Sequence, residues 1–202
     1  MTRMIALFLV LTMALSFAGC DKEDSKPYIA GTTESNVYTQ PYFGIKCTLP
    51  DEWYFFNDEQ IAQVKGYSQD LASEDDAQIL EKSGCVMEMY ASDEDTGVYT
   101  LNVNVEKLSS SKFTEKQYID NSMNQVKDDL ESAGFKIDIC ESVKLHFAGK
   151  ECSGVSIQGD FNGMIIYEKK VVIKEGRYLI CITASSFVED KNDDILSFFS
   201  PI

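Results

Sequence analysis

The chemistry available to this sequence depends first on its thiols. The chain has six cysteines and one histidine. A thiol can carry an acyl group, attack a substrate as a thiolate, form a disulfide or bind a metal ion. Cys20 follows an uncharged apolar segment, whereas the other five cysteines lie mostly within apolar, strand-like runs: Cys47, Cys85, Cys140, Cys152 and Cys181. Those five cannot all pair within one chain because their number is odd. We therefore expect most of them to be small apolar core residues, with one disulfide left open.

The first twenty residues predict an exported protein. Arg3 is the only charged residue among them, residues 5–17 are almost entirely apolar, and small residues lead into Cys20. This order is typical of a secretory signal peptide, and the apolar stretch is shorter than the about 20 residues that span a membrane. An uncleaved anchor, or a plain signal peptide with a coincidental cysteine, remains the alternative.

The ending Ala18-Gly19-Cys20 resembles a bacterial lipobox, although Phe17 stands where Leu is usual in that family. The resemblance implies that the Cys20 thiol takes a diacylglyceryl group and becomes the new N-terminus. Residues 1–19 are then the lipoprotein signal peptide. Residues 20–36 are polar and lack periodicity, so they are predicted to be a lipidated N-terminus and flexible tether. The expected location is the extracytoplasmic face of the cell membrane, with the acyl chains as the anchor.

His146 could act as a base for a cysteine nucleophile, and Cys152 is the nearest one in sequence. If Ala148-Gly149 or Gly149-Lys150 forms a two-residue hairpin turn, His146 and Cys152 lie on opposite faces of the sheet. The same parity separates Cys140 from Cys152 and argues against a disulfide between them. A three-residue loop would reverse both conclusions. We expect no catalytic dyad here.

Clustered acids are the next candidates. The runs Asp93-Glu94-Asp95 and Glu74-Asp75-Asp76 offer oxygen ligands for calcium, but neither has the ligand spacing of an EF-hand loop. Carboxylates from distant strands can also converge for glycoside hydrolysis, and the sequence cannot single out such a pair. The aromatic run at 53–56 could line a ligand pocket, although core packing is the stronger reading. We therefore predict no catalytic residue, metal site or cofactor.

Charge limits the partners of the chain. It carries 18 basic and 33 acidic residues, and loss of residues 1–19 removes Arg3 alone, which leaves a net charge of −16. Nucleic-acid phosphates and anionic headgroups both repel such a chain. We therefore expect no nucleic-acid partner and membrane contact through the Cys20 anchor alone. The remaining partner is an unknown envelope protein or ligand.

The rest of the chain alternates between strand and helix patterns. Period-two runs predict strands at 43–49 and 53–56, with one face of a later strand, the one carrying Thr100 and Asn102, exposed to water. Capping patterns predict helices that begin at Asn57 and Ser73, and a long helix at about 114–133. Four strands follow, near 136–147, 151–159, 163–174 and 177–184. A final short helix carries Ile195, Leu196 and Phe199. The class is α+β, with an antiparallel sheet covered by helices.

Residues 42–53 (YFGIKCTLPDEW) resemble the first hairpin of the PsbP/Mog1-like fold. The later elements also follow in the order of that family. The resemblance implies one domain over residues 37–202, with an antiparallel sheet sandwiched between helices. Known members are mostly accessory or binding proteins, among them bacterial envelope lipoproteins. It supplies no catalytic motif.

Three functions are therefore open. The first is a lipid-anchored, non-catalytic binding or accessory module of the cell envelope. The second is an envelope hydrolase with converging carboxylates, and the third is a carrier of a small ligand or cation. An enzyme should have a cleft that holds titratable groups with strongly shifted pKa values.

Overall fold

A computed structural model describes residues 26–65 and 75–202. Cys20, the signal peptide and Ser73 lie outside the described residues. The strands are β1 Thr32–Glu34, β2 Val37–Gln40, β3 Ile45–Thr48, β4 Trp53–Phe55, β5 Cys85–Asp93, β6 Tyr99–Lys107, β7 Lys136–Phe147, β8 Lys150–Phe161, β9 Met164–Glu175, β10 Tyr178–Phe187 and β11 Phe199–Pro201. The helices are α1 Asp58–Lys65, α2 Asp76–Ser83, α3 Glu115–Ser132 and α4 Asn192–Leu196.

These strands form two antiparallel sheets. The larger has seven strands in the order β4-β5-β6-β10-β9-β8-β7, and the smaller has four in the order β1-β2-β3-β11. The α+β class predicted from the sequence is confirmed. The smaller sheet was not predicted, because it pairs β3 with β11 from the opposite end of the chain.

Apolar residues bury both faces of the larger sheet. On one face, the smaller sheet, α2 and α4 pack over side chains such as Val103, Ile180 and Ile182. On the other face, α3 packs over a smaller cluster that includes Ile119, Val155 and Leu179. Helices therefore contact both faces, but a second sheet covers much of one of them.

Local capping sets the ends of α3. The Thr114 hydroxyl accepts a hydrogen bond from the Gln117 backbone N–H at 3.2 Å, and the Gln117 side chain accepts one from the Thr114 N–H at 2.9 Å. Gly134, just past the helix, has φ +95°, which glycine adopts without strain. The predicted capping box and helix are confirmed. A similar reciprocal pair between Asn57 and Gln60 begins α1.

The hairpin parity predicted for β7 and β8 is also confirmed. Phe147 pairs with Lys150, so Ala148-Gly149 is a two-residue turn. Both turn residues have positive φ, as hairpin turns of this length require. His146 consequently pairs with Glu151, and Cys152 pairs with Leu145 on the opposite face.

Part of the predicted tether is ordered against the body. Residues 26–34, which we call the docked segment, include β1, which pairs with β2. Ordered structure therefore begins before residue 37, the boundary expected from the sequence. The polar composition gave no sign of this, because the contacts lie with distant residues such as Glu88.

A bulge in β5 changes which residues share a face. The register shifts between Met87 and Met89, so Met87 pairs with Asn104 and Met89 with Val103. Simple alternation along the sequence predicts that Cys85, Met87 and Met89 share one face, and the bulge makes that prediction wrong for Met89. Glu88 is the extra residue of the bulge and has no partner in β6. Bulges commonly redirect a side chain in this way.

Three further predictions were wrong in detail. The supposedly wet face of β6 is buried, since its four polar residues are 4–7% exposed: Thr100, Asn102, Asn104 and Glu106. The last hairpin turns at Gly176-Arg177, one residue later than predicted. Phe199 lies in β11 and not in the final helix.

Candidate functional site

A cleft of about 360 Å³ lies between the docked segment, the first turns of α1 and α2, and the bulge of β5. Four carboxylates line it, and we call it the acidic pocket: Asp58, Asp75, Asp76 and Glu88. The other lining residues are apolar, small or hydroxylic: Ala30, Gly31, Thr32, Ile61, Ala62, Ile79 and Met87. Acids from separate elements therefore converge in the fold.

Helix starts and the bulge position these acids. Asp75 is the N-cap of α2, and its Oδ1 accepts a hydrogen bond from the Gln78 backbone N–H at 3.0 Å. Asp58 and Asp76 occupy first turns, where the helix dipole favours negative charge. The sequence predicted Ser73 as the cap of this second helix, and the structure assigns that role to Asp75.

Glu88 is the most extensively bonded acid in the acidic pocket. It is 7% exposed. Its Oε2 accepts hydrogen bonds from the Tyr38 hydroxyl at 2.6 Å, the Gln40 amide at 2.9 Å and the Gly31 backbone N–H at 3.1 Å. Its Oε1 accepts one from the Tyr28 hydroxyl. These donors compensate for burial of the carboxylate and connect β5 to the docked segment and β2.

Among the described residues, Asp76 has no comparable set of hydrogen-bond donors, and its pKa is raised to about 7. Burial is the main cause, and the neighbouring charges of Glu88, Asp58 and Asp75 add to it. Near neutral pH the Asp76 side chain is therefore divided between acid and carboxylate. Such a group can donate a proton, accept one, or bind a cationic group in its charged form.

A second buried acid lies beneath α3. The Glu106 carboxylate accepts a hydrogen bond from the Tyr118 hydroxyl at 2.6 Å. Burial raises the pKa of Glu106 to about 7, although that hydrogen bond and the nearby Lys65 and Lys170 act in the opposite direction. Lys65 also donates to the Asn104 side chain at 3.3 Å, and burial lowers its pKa. This polar layer links α1 and α3 to the sheet.

A second, more open cleft of about 720 Å³ separates the β7–β8 hairpin from α4 and β11. Leu145, Phe147 and Phe199 supply apolar walls, and the Lys169–Asp193 ion pair, 2.6 Å long, lies at its side. His146 also lines this cleft.

The thiols in the described residues are unfavourable nucleophiles. Burial raises the pKa of Cys47 and of Cys85 to about 12 and that of Cys181 to about 11. Burial also raises the pKa values of Cys140 and Cys152. All five are free cysteines. Cys20, the predicted lipidation site, lies outside the described residues.

The acidic turn at 93–95 has a structural role. The Asp93 Oδ2 accepts hydrogen bonds from the backbone N–H groups of Thr96 and Gly97, and its Oδ1 accepts one from the Tyr99 N–H. Burial opposes ionisation of Asp93, but these bonds and the Thr96 hydroxyl bring its pKa below the usual value. Within residues 26–65 and 75–202, no three or more His, Cys, Asp or Glu side chains are grouped to hold a metal ion.

No helix among the described residues is long and apolar enough to cross a membrane. The acidic pocket was not predicted from the sequence, because its acids come from three separate elements. The available signal was Glu88 itself, an acid between two methionines in the otherwise apolar run at 85–91.

Comparison with known proteins identifies no family. No family model matches the chain, and none of the curated proteins matches it either. A crystal structure from Bacteroides thetaiotaomicron is similar over 84% of this chain at 8% identity, with a TM-score of 0.43; the chain spans about half (49%) of its length. LpqN of Mycobacterium tuberculosis, described as involved in cell envelope biogenesis, is similar over 76% of this chain and 75% of its own at 11% identity, with a TM-score of 0.36.

A protein of unknown function from Pseudomonas aeruginosa is similar over 43% of this chain and 58% of its own, at 13% identity and a TM-score of 0.26. Identities and TM-scores at this level carry no functional argument. The function proposed below rests on the chain's own residues.

Proposed function

We propose that the chain is a membrane-anchored extracytoplasmic lipoprotein that acts as a non-catalytic binding or accessory module of the cell envelope. The observation that carries this proposal is the run of apolar and small residues that ends at Cys20. Two or three acyl chains hold a protein at a bilayer almost permanently, since each buried methylene contributes about 0.8 kcal/mol. We also infer kinship with the PsbP/Mog1-like proteins, which the α+β layering and residues 42–53 support.

The non-catalytic part of the proposal is supported by the thiol chemistry. A cysteine nucleophile needs a lowered pKa or an adjacent base. The raised pKa values of the described thiols and the placement of His146 and Cys152 on opposite faces both disfavour that mechanism.

Intact-mass analysis of the protein from its native membrane tests the anchor. We expect the mass of residues 20–202 plus a diacylglyceryl group, and fatty acid on Cys20 in the N-terminal peptide. Cys20→Ala should abolish incorporation of labelled palmitate, whereas the matched variant Cys140→Ala should retain it. Residues 1–19 still attached, or an unmodified Cys20, would overturn the proposal.

The acidic pocket favours a second candidate function, an envelope hydrolase. A carboxyl group whose pKa is near 7 can serve as a general acid, and Asp76 lies in a cleft with three other acids. Purified protein should then cleave fluorogenic glycosides or esters, and Asp76→Asn should lower that rate at least about a hundredfold. Asp128→Asn, on the exposed face of α3, is the matched control. Absence of turnover in the wild type would reject the hydrolase.

A further inference from the structure

Charge is divided unevenly between the two ends of the seven-stranded sheet. The antiparallel register brings the turns Ala148-Gly149 and Gly176-Arg177 to the same end as Lys107, the last residue of β6. We call it the basic end. The turns at 94–98 and 162–163 and the chain after Phe187 lie at the other, the acidic end.

The basic end carries an excess of cations on an acidic protein. Its cations are Lys26, Lys82, Lys107, Lys112, Lys150, Lys174 and Arg177, and its acids are Glu81, Glu115, Glu151 and Glu175. Hydrogen bonds and an ion pair hold much of this set together. Lys107 pairs with Glu81, and the Arg177 guanidinium donates to the Leu108 carbonyl. The Glu115 carboxylate accepts a hydrogen bond from the Lys174 backbone N–H.

The acidic end has the opposite character. Its turns and strand ends carry two cations, Lys136 and Lys191, and eight acids: Asp51, Glu52, Asp93, Glu94, Asp95, Asp160, Glu189 and Asp190. The Glu94 backbone N–H donates to the Glu52 carbonyl at 2.9 Å, which brings the β5–β6 turn against the chain before β4. The molecule therefore has a charge dipole that runs along its strands.

The docked segment begins at the basic end. The Lys26 ammonium lies 4.4 Å from the centre of the Tyr42 ring and donates to the Tyr42 carbonyl at 3.1 Å. The Tyr42 hydroxyl in turn donates to the Glu175 carbonyl at 3.3 Å. The Tyr28 ring packs 4.8 Å from that of Tyr178, the first residue after the Gly176-Arg177 turn. Lys26, the first described residue after Cys20, therefore lies beside that turn.

The position of Lys26 limits the reach of an anchor. Six residue steps separate Cys20 from Lys26, and an extended chain covers at most about 3.5 Å per step, or about 20 Å in total. An acylated Cys20 would therefore hold the basic end close to the lipid headgroups. The chain's net charge predicts repulsion from an anionic membrane, but at this distance the local charge decides which end turns toward the bilayer.

We propose that the basic end is a surface that contacts anionic lipid headgroups and sets the orientation of the anchored protein. This proposal rests on the lipid anchor proposed for Cys20. Each Lys or Arg near an anionic surface strengthens binding by about fivefold. The chain between Cys20 and Lys26 adds Lys22 and three acids, so eight cations stand against seven acids at this end, whereas the acidic end has two cations and eight acids. An anionic membrane therefore repels the acidic end and not the basic end. The acidic end, with its turn at 93–95, then points away from the membrane.

Photocrosslinking of the acylated, mass-verified protein tests the orientation. Benzoylphenylalanine is placed at Ser111 in the basic end or at Asp95 in the acidic end. The protein is reconstituted in phosphatidylcholine vesicles with or without phosphatidylglycerol. We expect lipid crosslinks from position 111 to exceed those from position 95 at least fivefold when phosphatidylglycerol is present, and the excess to shrink in high salt.

Charge reversal supplies the matched control. Lys26→Glu, Lys82→Glu and Lys112→Glu together should remove the excess at position 111. The same number of reversals at Lys127, Lys136 and Lys191, all outside the basic end, should preserve it. Equal crosslinking from both positions, or equal loss in both triple variants, would overturn the headgroup surface while leaving the anchor proposal standing. A protein without the acyl mass on Cys20 would overturn both.

Discussion

A single carboxylate, that of Glu88, joins β5 to the docked segment and to β2, whose donors lie 48 to 60 residues earlier in the chain. Tyr28 and Gly31 in the docked segment and Tyr38 and Gln40 in β2 all donate to it. Glu88 is directed at them because the bulge in β5 makes it the extra residue. Hydrogen bonds to a buried charge contribute more than those between neutral groups, so this residue should matter for stability.

Replacing Glu88 with Gln should destabilise the fold by about 2 kcal/mol, because an amide presents its own N–H groups to some of the same donors. In a protein of this size that change corresponds to a decrease of roughly 4 to 8 °C in Tm. Thermal unfolding followed by circular dichroism measures it. Glu94→Gln, at the exposed β5–β6 turn, is the control and should leave Tm within about 1 °C of the wild type. An equal Tm for both variants would show that the four contacts contribute little.

Asp76 should make stability depend on pH. Its folded pKa of about 7 lies above its unfolded value, so the folded state binds the proton more tightly. The resulting stabilisation is complete below about pH 4, the unfolded pKa, and is lost as pH rises through about 7. Asp76→Asn cannot ionise, so its unfolding free energy relative to the wild type should be higher at pH 8 than at pH 5.

Urea unfolding at pH 5 and pH 8 gives the four free energies that this comparison needs. Asp128→Asn, on the exposed face of α3, controls for the loss of one negative charge. A difference between Asp76→Asn and the wild type that stays constant between the two pH values would contradict the raised pKa of Asp76.

At the scale of elements, the sequence predicted the helix cap and the hairpin turn that residues close together in the chain determine. The capping box at Thr114 and the parity of the Ala148-Gly149 turn depend on residues a few positions apart, and both are confirmed. The smaller sheet depends on pairing of Phe199 with Cys47, for which no local pattern exists. The buried polar face of β6 was misjudged for the same reason, since Lys65 and Tyr118 reach it from other elements.

The acidic pocket was unpredictable on the same grounds. Asp58 and Asp76 belong to different helices and Glu88 to a strand, and their spacing along the chain has no regularity. What brings them together is tertiary packing of short helices whose own sequences show only caps and a few apolar residues. Periodicity can predict the helices, but not which of their ends meet.

The capping box should supply a measurable part of α3 stability. Thr114→Ala removes the side chain that accepts the Gln117 backbone N–H, which typically costs about 1 kcal/mol. Urea unfolding should show this loss with an unchanged m-value. Gln125→Ala, an exposed mid-helix change in α3, should differ from the wild type by less than about 0.5 kcal/mol. Equal free energies of unfolding for Thr114→Ala and Gln125→Ala would show that the Thr114 cap contributes little to the stability of α3.

At the scale of the whole molecule, the docked segment decides how far the body can move from an anchor at Cys20. With residues 26–34 packed on the body, only residues 21–25 lie between the docked segment and Cys20, whereas the sequence alone predicted a tether up to residue 36. The packing is close at Gly31, where an added Cβ would lie 2.4 Å from the Tyr38 ring. Tyr38 is fully buried, so the docked segment is the part that can yield.

Gly31→Ala should therefore release the docked segment while the sheets stay folded. Chymotrypsin cleaves after aromatic residues, and in the wild type the Tyr28 ring is held between Tyr42 and Tyr178. We expect the cut after Tyr28 to be at least about tenfold faster in Gly31→Ala, because local opening costs less free energy than global unfolding. Mass spectrometry of the fragments over time gives the rate. Thr33→Ala, at an exposed position of the same segment, should cut at the wild-type rate. Similar rates in all three proteins would mean that residues 26–34 detach readily even in the wild type, and an anchor at Cys20 would then hold the body on a long, loose tether.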